Sequence, residues 1–278
     1  MSYMPTILVH GRSALEAATA AALFLLSGCL SYGFYTFFSV CSVATNVNLP
    51  ETSGAFLSLQ VILPLIGLPM TMSDPDKQCM ARVPAKNDLS VVFGKKEGTT
   101  LFVLAILKAL PPAIFPQILY LIAYGEFMLH YEPDLVSRRC RGGLDSGDWS
   151  SVIRCRDIRG YSGVARSDAA TFTLAIYLIC IVVSSAGFVH RTLPLRQEPP
   201  WRRNAMWLTA VIAAIVIISL YLGLRLKRGG FYLMPWYFYV IACIVPFLCL
   251  AWVEYVKRTE RALLDRAEKL RRLQFETR

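Results

Sequence analysis

The sequence is poor in charge and lacks the motifs of soluble enzymes. Only 17% of its 278 residues are charged, whereas 55% are hydrophobic, and this balance excludes a soluble domain of ordinary composition. Its three histidines show no spacing typical of a metal site or catalytic triad, and no Walker-type glycine-rich loop occurs. No basic stretch opens the chain before its first apolar run, which indicates a true membrane span and not the core of a signal peptide.

Six apolar runs are long enough to cross a hydrocarbon core about 30 Å thick at about 1.5 Å per helical residue. They lie near residues 14–38, 52–72, 99–125, 169–189, 204–224 and 231–253. Small and hydroxyl-bearing residues in the first run, such as Ser31, are typical of contacts between packed membrane helices. We therefore expect an all-α polytopic protein whose residues 1–256 form a six-helix transmembrane bundle.

Basic residues indicate which side of the membrane each connection faces. Lysine and arginine concentrate in the second and fourth connections and after the sixth run, which predicts that these regions are cytosolic. Both termini would then be cytosolic, and residues 257–278 would form an amphipathic helical tail on the membrane or on another domain, or else a solvated charged helix. The fifth connection, which begins at Arg225, conflicts with this scheme because it is basic but falls on the opposite side.

The net charge of +10 indicates that the chain binds a negatively charged partner. Basic residues flank the spans instead of covering one face, a distribution that favours anionic lipid over nucleic acid. The lipid bilayer is therefore an expected partner, and nucleic-acid binding is not expected.

The third connection, residues 132–168, is the sizeable polar segment of the chain and is predicted to be non-cytosolic. It contains Cys140 and Cys155. An oxidising compartment would allow them to form a disulfide worth about 3 kcal/mol from the entropy of the closed loop. Two free thiols are the alternative, and the absence of an N-x-S/T sequon leaves no glycosylation site by which to check the side of the membrane.

The second run is interrupted by prolines, the first of them Pro64, and leads directly into a polar loop that begins at Asp74. A proline frees backbone carbonyls inside lipid, and transporters place ions at such breaks, although membrane helices also tolerate prolines without any ion. Gln60 lies one turn before Pro64, so its amide oxygen could bind a hard cation such as Mg²⁺ or Ca²⁺, or the amide could bridge two helices. Ser58 and Ser31 are further candidate ligands of such an ion path.

The third run carries a lysine, Lys108, about ten residues in. Such a lysine can snorkel toward the cytosolic face along its own aliphatic stem, or it can face the bundle as a fixed positive charge that repels cations. Snorkelling is the expected outcome because it keeps the ammonium in water. Glu126 ends this run near the opposite interface, which is an ordinary place for a carboxylate.

Short motifs mark the ends of the predicted spans. They are S-D-P-D-K-Q-C-M-A-R-V-P after the second run, F-V-H-R after the fourth, W-R-R-N before the fifth and W-V-E-Y-V-K-R after the sixth. This order resembles the C-terminal transmembrane half of P-type cation-transporting ATPases, in which a P-P-D, a methionine and a stretch with arginine and proline follow the second helix. Asp74, Asp76 and Arg82 match that pattern. The A-K-N-D after the second helix and the final L-Q-F-E-T-R are similar to the divergent transmembrane-protein-94 group, linked to magnesium uptake into the endoplasmic reticulum.

The resemblance implies roles for two regions. The loop with Asp74, Asp76 and Arg82 would couple the helices to a cytosolic phosphorylation domain, and the second helix would contribute to the path of Mg²⁺ or another cation. Family pumps place acidic or amide ligands in the first, second and fourth helices, whereas no carboxylate accompanies Gln60 and Pro64. A partly hydrated Mg²⁺ is compatible with neutral oxygens, but a high-affinity Ca²⁺ cage is not.

The nucleophilic aspartate of the family, in a D-K-T-G sequence, is missing. The chain is therefore not catalytic by itself, and no cofactor is expected in it. We expect the membrane-embedded part of a transporter whose N-terminal catalytic half belongs to the same gene product or to a separate chain, in the endoplasmic reticulum membrane more than in the plasma membrane. The alternative is a stand-alone six-span membrane protein with a structural or regulatory role and no transport activity.

Overall fold

The computed structural model describes residues 3–41, 52–73, 95–131, 133, 136, 163–189, 195, 199–226, 232 and 234–276. The regular structure in these ranges is entirely helical. We number the helices α1 (Tyr3–Cys41), α2 (Thr52–Phe56, Leu57–Ile62 and Leu63–Met70 in one continuous run), α3 (Lys95–Tyr131), α4 (Gly163–Ser184), α5 (Ala205–Arg225) and α6 (Trp236–Glu276). Single helical turns at Ala186–Val189 and Pro200–Arg203 follow α4 and precede α5.

Five of these helices are long and apolar enough to cross a membrane. The candidate spans are Ser13–Val40, Phe102–Tyr131, Val164–Val189, Ala205–Arg225 and Trp236–Ala262. The second predicted span is a shorter apolar helix, Gly54–Met70. The all-α class predicted from the sequence is confirmed, and the five helices fit an integral multi-pass membrane protein.

Helix α2 changes its helical type where the sequence predicts a break. Leu57–Ile62 is a π-helix, and Pro64 lies in the first turn of the α-helical segment that follows it. Proline has no N–H to donate. In a regular α-helix its ring would also clash with the backbone carbonyl of the residue four positions earlier. A wider turn relieves that clash, so the chain remains helical through the proline instead of being interrupted. Such π segments occur frequently at functional sites.

Close contacts between α1 and α2 depend on glycine. Gly28 in α1 lies directly against the side chain of Leu63, and Gly67 in α2 lies against Leu25. A β-carbon at Gly28 would collide with Leu63, so the absence of a side chain sets the distance between these helices. Small residues therefore act as packing contacts in the first run, as the sequence predicts.

Helix α4 is the central helix of the bundle. Of its apolar window 83% is buried, compared with 22% for α5. One apolar cluster, with Phe24, Ile66 and Tyr177, joins α4 to α1, α2 and α5. A second, with Phe127 and Phe238, joins α4 to α3 and α6. The outer face of α5 is consequently left for lipid or for another membrane helix.

Helix α4 extends beyond its predicted boundary, and α6 continues into the predicted helical tail. Helix α4 begins at Gly163, six residues before the predicted start of the fourth span, and includes the buried Asp168. Helix α6 runs without interruption through residue 257, where the charged tail was predicted to begin. At about 1.5 Å per residue its 41 residues measure about 61 Å, roughly twice the thickness of the hydrocarbon core.

Candidate functional site

Charged side chains from α3 and α6 meet at one end of the bundle. The two helices are antiparallel, since Trp252 Nε1 donates to the carbonyl oxygen of Leu107 at this end, and the hydroxyl of Tyr237 donates to Glu126 near the other end. This arrangement brings the start of the α3 span next to the part of α6 that follows its apolar stretch. We call the residues that meet there the charged cluster: Lys108, Glu254, Lys257, Glu260 and Arg261.

The ion pair between Lys108 and Glu260 connects the two helices. Lys108 Nζ donates to Glu260 Oε2 at 2.7 Å, and the two side chains are only 7% and 3% exposed. The ammonium also lies 5.1 Å from the ring centroid of Phe188. The expectation that Lys108 snorkels to the membrane surface is therefore wrong. A carboxylate on the neighbouring helix compensates the charge inside the bundle, which removes the need to reach water.

The remaining charges of the cluster lie on successive turns of α6. Lys257 is 1% exposed, and its Nζ lies 3.0 Å from Glu254 Oε1. It also interacts electrostatically with Arg261 and Lys108. Because Lys257 and Glu260 are both buried, one side of the first turn of the predicted tail packs in the bundle, while Arg258 and Thr259 on its other side are exposed.

Arg261 differs from the other members of the cluster. Its Nε and Nη2 atoms are buried and have no hydrogen-bond partner within the described ranges. The other two basic groups, Lys108 and Lys257, each have a carboxylate partner. The cluster contains three basic and two acidic side chains, so the guanidinium of Arg261 is its uncompensated charge.

A small cavity adjoins the ion pair. Its volume is about 10 Å³, room for about one water-sized sphere. The apolar residues Leu23, Leu104, Ala105 and Phe188 line it together with Lys108 and Glu260. Apolar side chains of α1, α3 and the turn after α4 therefore border the ion pair on this side.

At the opposite end of the bundle, two tyrosine hydroxyls donate hydrogen bonds to carboxylates. The hydroxyl of Tyr131 donates to Asp168 Oδ2 at 2.9 Å, and that of Tyr237 donates to Glu126 Oε1 at 2.8 Å. These bonds connect α3 to α4 and to α6. Glu126, predicted as an ordinary interfacial carboxylate, therefore also takes part in helix packing.

The predicted ion-path residues of α2 and α1 face different surroundings. Gln60 is exposed on the outside of the bundle and Pro64 is partly buried. Ser58 and Ser31 are 2% and 0% exposed, and Ser58 Oγ donates to the carbonyl oxygen of Ala55 within its own helix. The structure therefore puts the amide and the hydroxyls on different faces, and their role as cation ligands stays a prediction.

The other predicted site residues lie outside the described residues. These are Asp74, Asp76 and Arg82 of the proposed coupling loop and Cys140 and Cys155 of the proposed disulfide. Among the described residues, no group of three or more His, Cys, Asp or Glu side chains could hold a metal ion.

Asn204 holds the end of α2 against the start of α5. Its Nδ2 donates to the carbonyl oxygen of Pro69 at 2.6 Å and to Ser73 Oγ at 3.1 Å, while its Oδ1 accepts from the backbone N–H of Trp207 at 2.8 Å. The same amide thus caps α5 and fixes the segment that leads into the loop after α2. Sequence reasoning missed this role, although an asparagine directly before an apolar run is a helix-start signal.

Sequence reasoning also missed the acidic and basic pairing on α6. Glu254, Lys257 and Glu260 recur at three-residue intervals, which places them along one side of a helix. That periodicity continues past the apolar stretch and was the available signal that the helix keeps a buried face there.

Comparison with known proteins leaves the function to be argued from these residues. The chain matches no protein-family model, and it has no significant match among curated proteins.

Proposed function

We propose that the chain is the membrane-embedded part of a P-type-ATPase-like cation transporter. It would contribute part of the ion path, and the phosphorylation and nucleotide-binding domains would belong to another segment or another polypeptide. The observation that carries the proposal is the π-helix at Leu57–Ile62 followed by Pro64. A helix distorted inside an apolar bundle offers backbone carbonyls that do not follow the α-helical pattern, and oxygen atoms are the ligands of hard cations.

The surroundings of α2 support a role in coupling. Its apolar side is held by α1 through Leu63 and Gly67, and its last turn is held by Asn204. The loop with Asp74, Asp76 and Arg82 begins a few residues later. A displacement of that loop by a catalytic domain would therefore act on a helix fixed at one end and distorted in the middle.

The topology that accompanies this proposal has six spans with both termini in the cytosol. The cation would be Mg²⁺ in the endoplasmic reticulum membrane, as the resemblance implies. Ser58 and Ser31 are buried and could contribute oxygen atoms to a partly hydrated ion. Gln60 would contribute only if its exposed amide met another helix or a partner chain.

Uptake into vesicles tests the proposal. Endoplasmic reticulum vesicles are prepared from cells depleted of the protein and from cells in which the wild-type chain is restored, and ATP-dependent Mg²⁺ uptake is followed with a fluorescent indicator, with Ca²⁺ as comparison. We expect depletion to reduce Mg²⁺ uptake and the wild-type chain to restore it. Equal uptake with and without the protein would favour the structural alternative.

Paired serine variants locate the ion path. Ser58→Ala is expected to weaken the apparent Mg²⁺ affinity by about tenfold or more, since even outer-shell partners of a metal contribute that much. Ser219→Ala is the matched control, because Ser219 is exposed on α5 and its hydroxyl also donates within its own helix. Gln60→Leu is measured beside them, and normal transport by this variant would remove Gln60 from the ligand set.

A stand-alone structural or regulatory protein is the second candidate. It is favoured by the outward position of Gln60 and by the large exposed apolar face of α5, which suits contact with another membrane helix. The depletion experiment separates the two candidates, because this one predicts no change in ATP-dependent cation uptake.

A further inference from the structure

Gln60 carries an amide on the outer side of a helix that lies among the membrane spans. Helix α2 packs through Leu63 against Gly28 of α1 and through Gly54 against Leu174 of α4, and both of these partners belong to candidate spans. Gln60 lies between the two contacts and is exposed. Its side chain forms no hydrogen bond with any other described residue. An amide at this depth costs free energy until a second molecule supplies its hydrogen bonds, because the hydrocarbon core contains no water.

A second glutamine in the bundle shows what such an amide requires. Gln117 of α3 faces α1, where its Nε2 atom donates to the carbonyl oxygen of Tyr35 at 3.2 Å and to Ser39 Oγ at 2.7 Å. Those bonds hold two helices of one chain together. Gln60 lies on the outer side of its own bundle, so its donors and its acceptor are left for a neighbouring molecule in the membrane.

The surface around Gln60 is an apolar ridge along one side of α2. Phe56 and Leu68 are 64% and 67% exposed, and Pro64 between them is partly buried. These three residues and Gln60 recur at intervals of four, whereas Ile66 on the opposite side is fully buried. Residues four apart form the ridges by which helices pack against one another. We call Phe56, Gln60, Pro64 and Leu68 the outer ridge of α2; its one polar group is set between apolar contacts.

The amide of a glutamine is complementary to itself. Its oxygen accepts and its NH₂ group donates, so two facing Gln60 side chains satisfy each other through two reciprocal hydrogen bonds. A two-fold axis places the same residue of each copy opposite its partner, which suits a single amide near the middle of the apolar helix Gly54–Met70. The outer ridge carries no charge that would oppose the approach of two identical surfaces. A lipid acyl chain, by contrast, offers neither a donor nor an acceptor.

We propose that the outer ridge of α2 is the interface of a homodimer, in which the Gln60 side chains of two copies hydrogen-bond to each other and the three apolar residues pack around them. This interface does not depend on the proposed transport function. It accounts for an amide on the lipid-facing side of a helix.

Dimerisation of the purified full-length chain in lipid vesicles tests the interface. Copies fused to a donor or an acceptor fluorescent protein are reconstituted together, and energy transfer is measured as the protein-to-lipid ratio is lowered. We expect wild type to dimerise and Gln60→Leu to weaken the association about tenfold, which is the order of an interhelical hydrogen bond in a membrane. Gln60→Asn keeps the amide on a shorter stem, so its association is expected to be intermediate.

Gln117→Leu is the matched control, because it removes the same amide from inside the bundle. This variant is expected to lower the thermal unfolding midpoint and to leave the dimer affinity unchanged. Gln60→Leu is expected to do the reverse. Wild-type association by a folded Gln60→Leu, or equal weakening in both variants, would overturn the proposal, and Gln60→Asn carries the same comparison if Gln60→Leu does not fold.

Photo-cross-linking identifies what covers the outer ridge in native membranes. Benzoylphenylalanine is introduced at position 68 in the ridge or at position 220, where the natural leucine is 61% exposed on α5. A product of twice the mass of the chain from position 68, and none from position 220, supports the homodimer. A product with a different protein, lipid adducts alone, or equal dimer yields from both positions would show that the outer ridge is not a homodimer interface.

Discussion

Among single residues, Lys108 and Glu260 form the most informative pair, because both are buried and their ion pair joins α3 to α6. Removing one partner of a buried pair leaves an isolated charge and costs about 3–5 kcal/mol. We expect Lys108→Met and Glu260→Gln each to lower the unfolding midpoint of the detergent-solubilised protein.

The double variant Lys108→Met, Glu260→Met distinguishes pairing from simple packing. Without either charge, much of the loss is expected to be recovered, which gives a clear coupling energy in the double-mutant cycle. Arg258→Met is the control, since Arg258 is exposed on the same helix and its loss should change stability by about 0.5 kcal/mol or less. A Lys108→Met protein as stable as wild type would mean that the ammonium reaches water after all.

Among the helices, α1 and α2 provide a matched test of close packing. Gly28 lies against Leu63, whereas nothing lies within 4 Å of a β-carbon built at Gly33 on the same helix. Gly28→Val is expected to destabilise the protein by about 1–3 kcal/mol through overpacking, and Gly33→Val is expected to change stability by about 0.5 kcal/mol or less. Thermal unfolding in detergent measures both, and equal effects would show that the α1–α2 contact is looser than the structure describes.

For the whole molecule, the number of membrane crossings decides the topology. If the shorter helix α2 crosses with the other five, the count is even and both termini lie on the same side, which the distribution of basic residues predicts to be cytosolic. Fluorescent tags at either end of the chain, tested by protease digestion of sealed vesicles, should then be digested together, while a tag inserted at residue 147 in the third connection is protected. Digestion of one terminal tag and protection of the other would show that α2 does not cross.

The helix class and most spans follow from the sequence, because length and apolar content act locally along the chain. Which side chains become neighbours across different helices does not follow from the sequence. Lys108 and Glu260 are 152 positions apart, and nothing in the run around either residue specifies how α3 and α6 rotate to meet. Snorkelling was the natural prediction for an isolated lysine, and a distant carboxylate changed the outcome.

The candidate site shows the same limit. The prolines of α2 predicted a distortion at the right place, but not that the chain would remain helical through a π turn. The outward position of Gln60 depends on the angular setting of α2 in the bundle, which a short polar-apolar pattern does not define. Asn204 carried a recognisable cap signal, yet its bond to Pro69 depends on how α5 docks beside α2.

The π turn of α2 also fixes an angular phase between the two halves of that helix. An α-helix advances by about 100° per residue, so deleting one residue between positions 57 and 62 to restore regular α-helix would swing Thr52–Phe56 through about that angle relative to Leu63–Met70. Gly54, which now lies against Leu174 of α4, would turn away from it. The extra residue therefore acts as an angular spacer that lets one helix present the correct side to α4 at its start and to α1 further on.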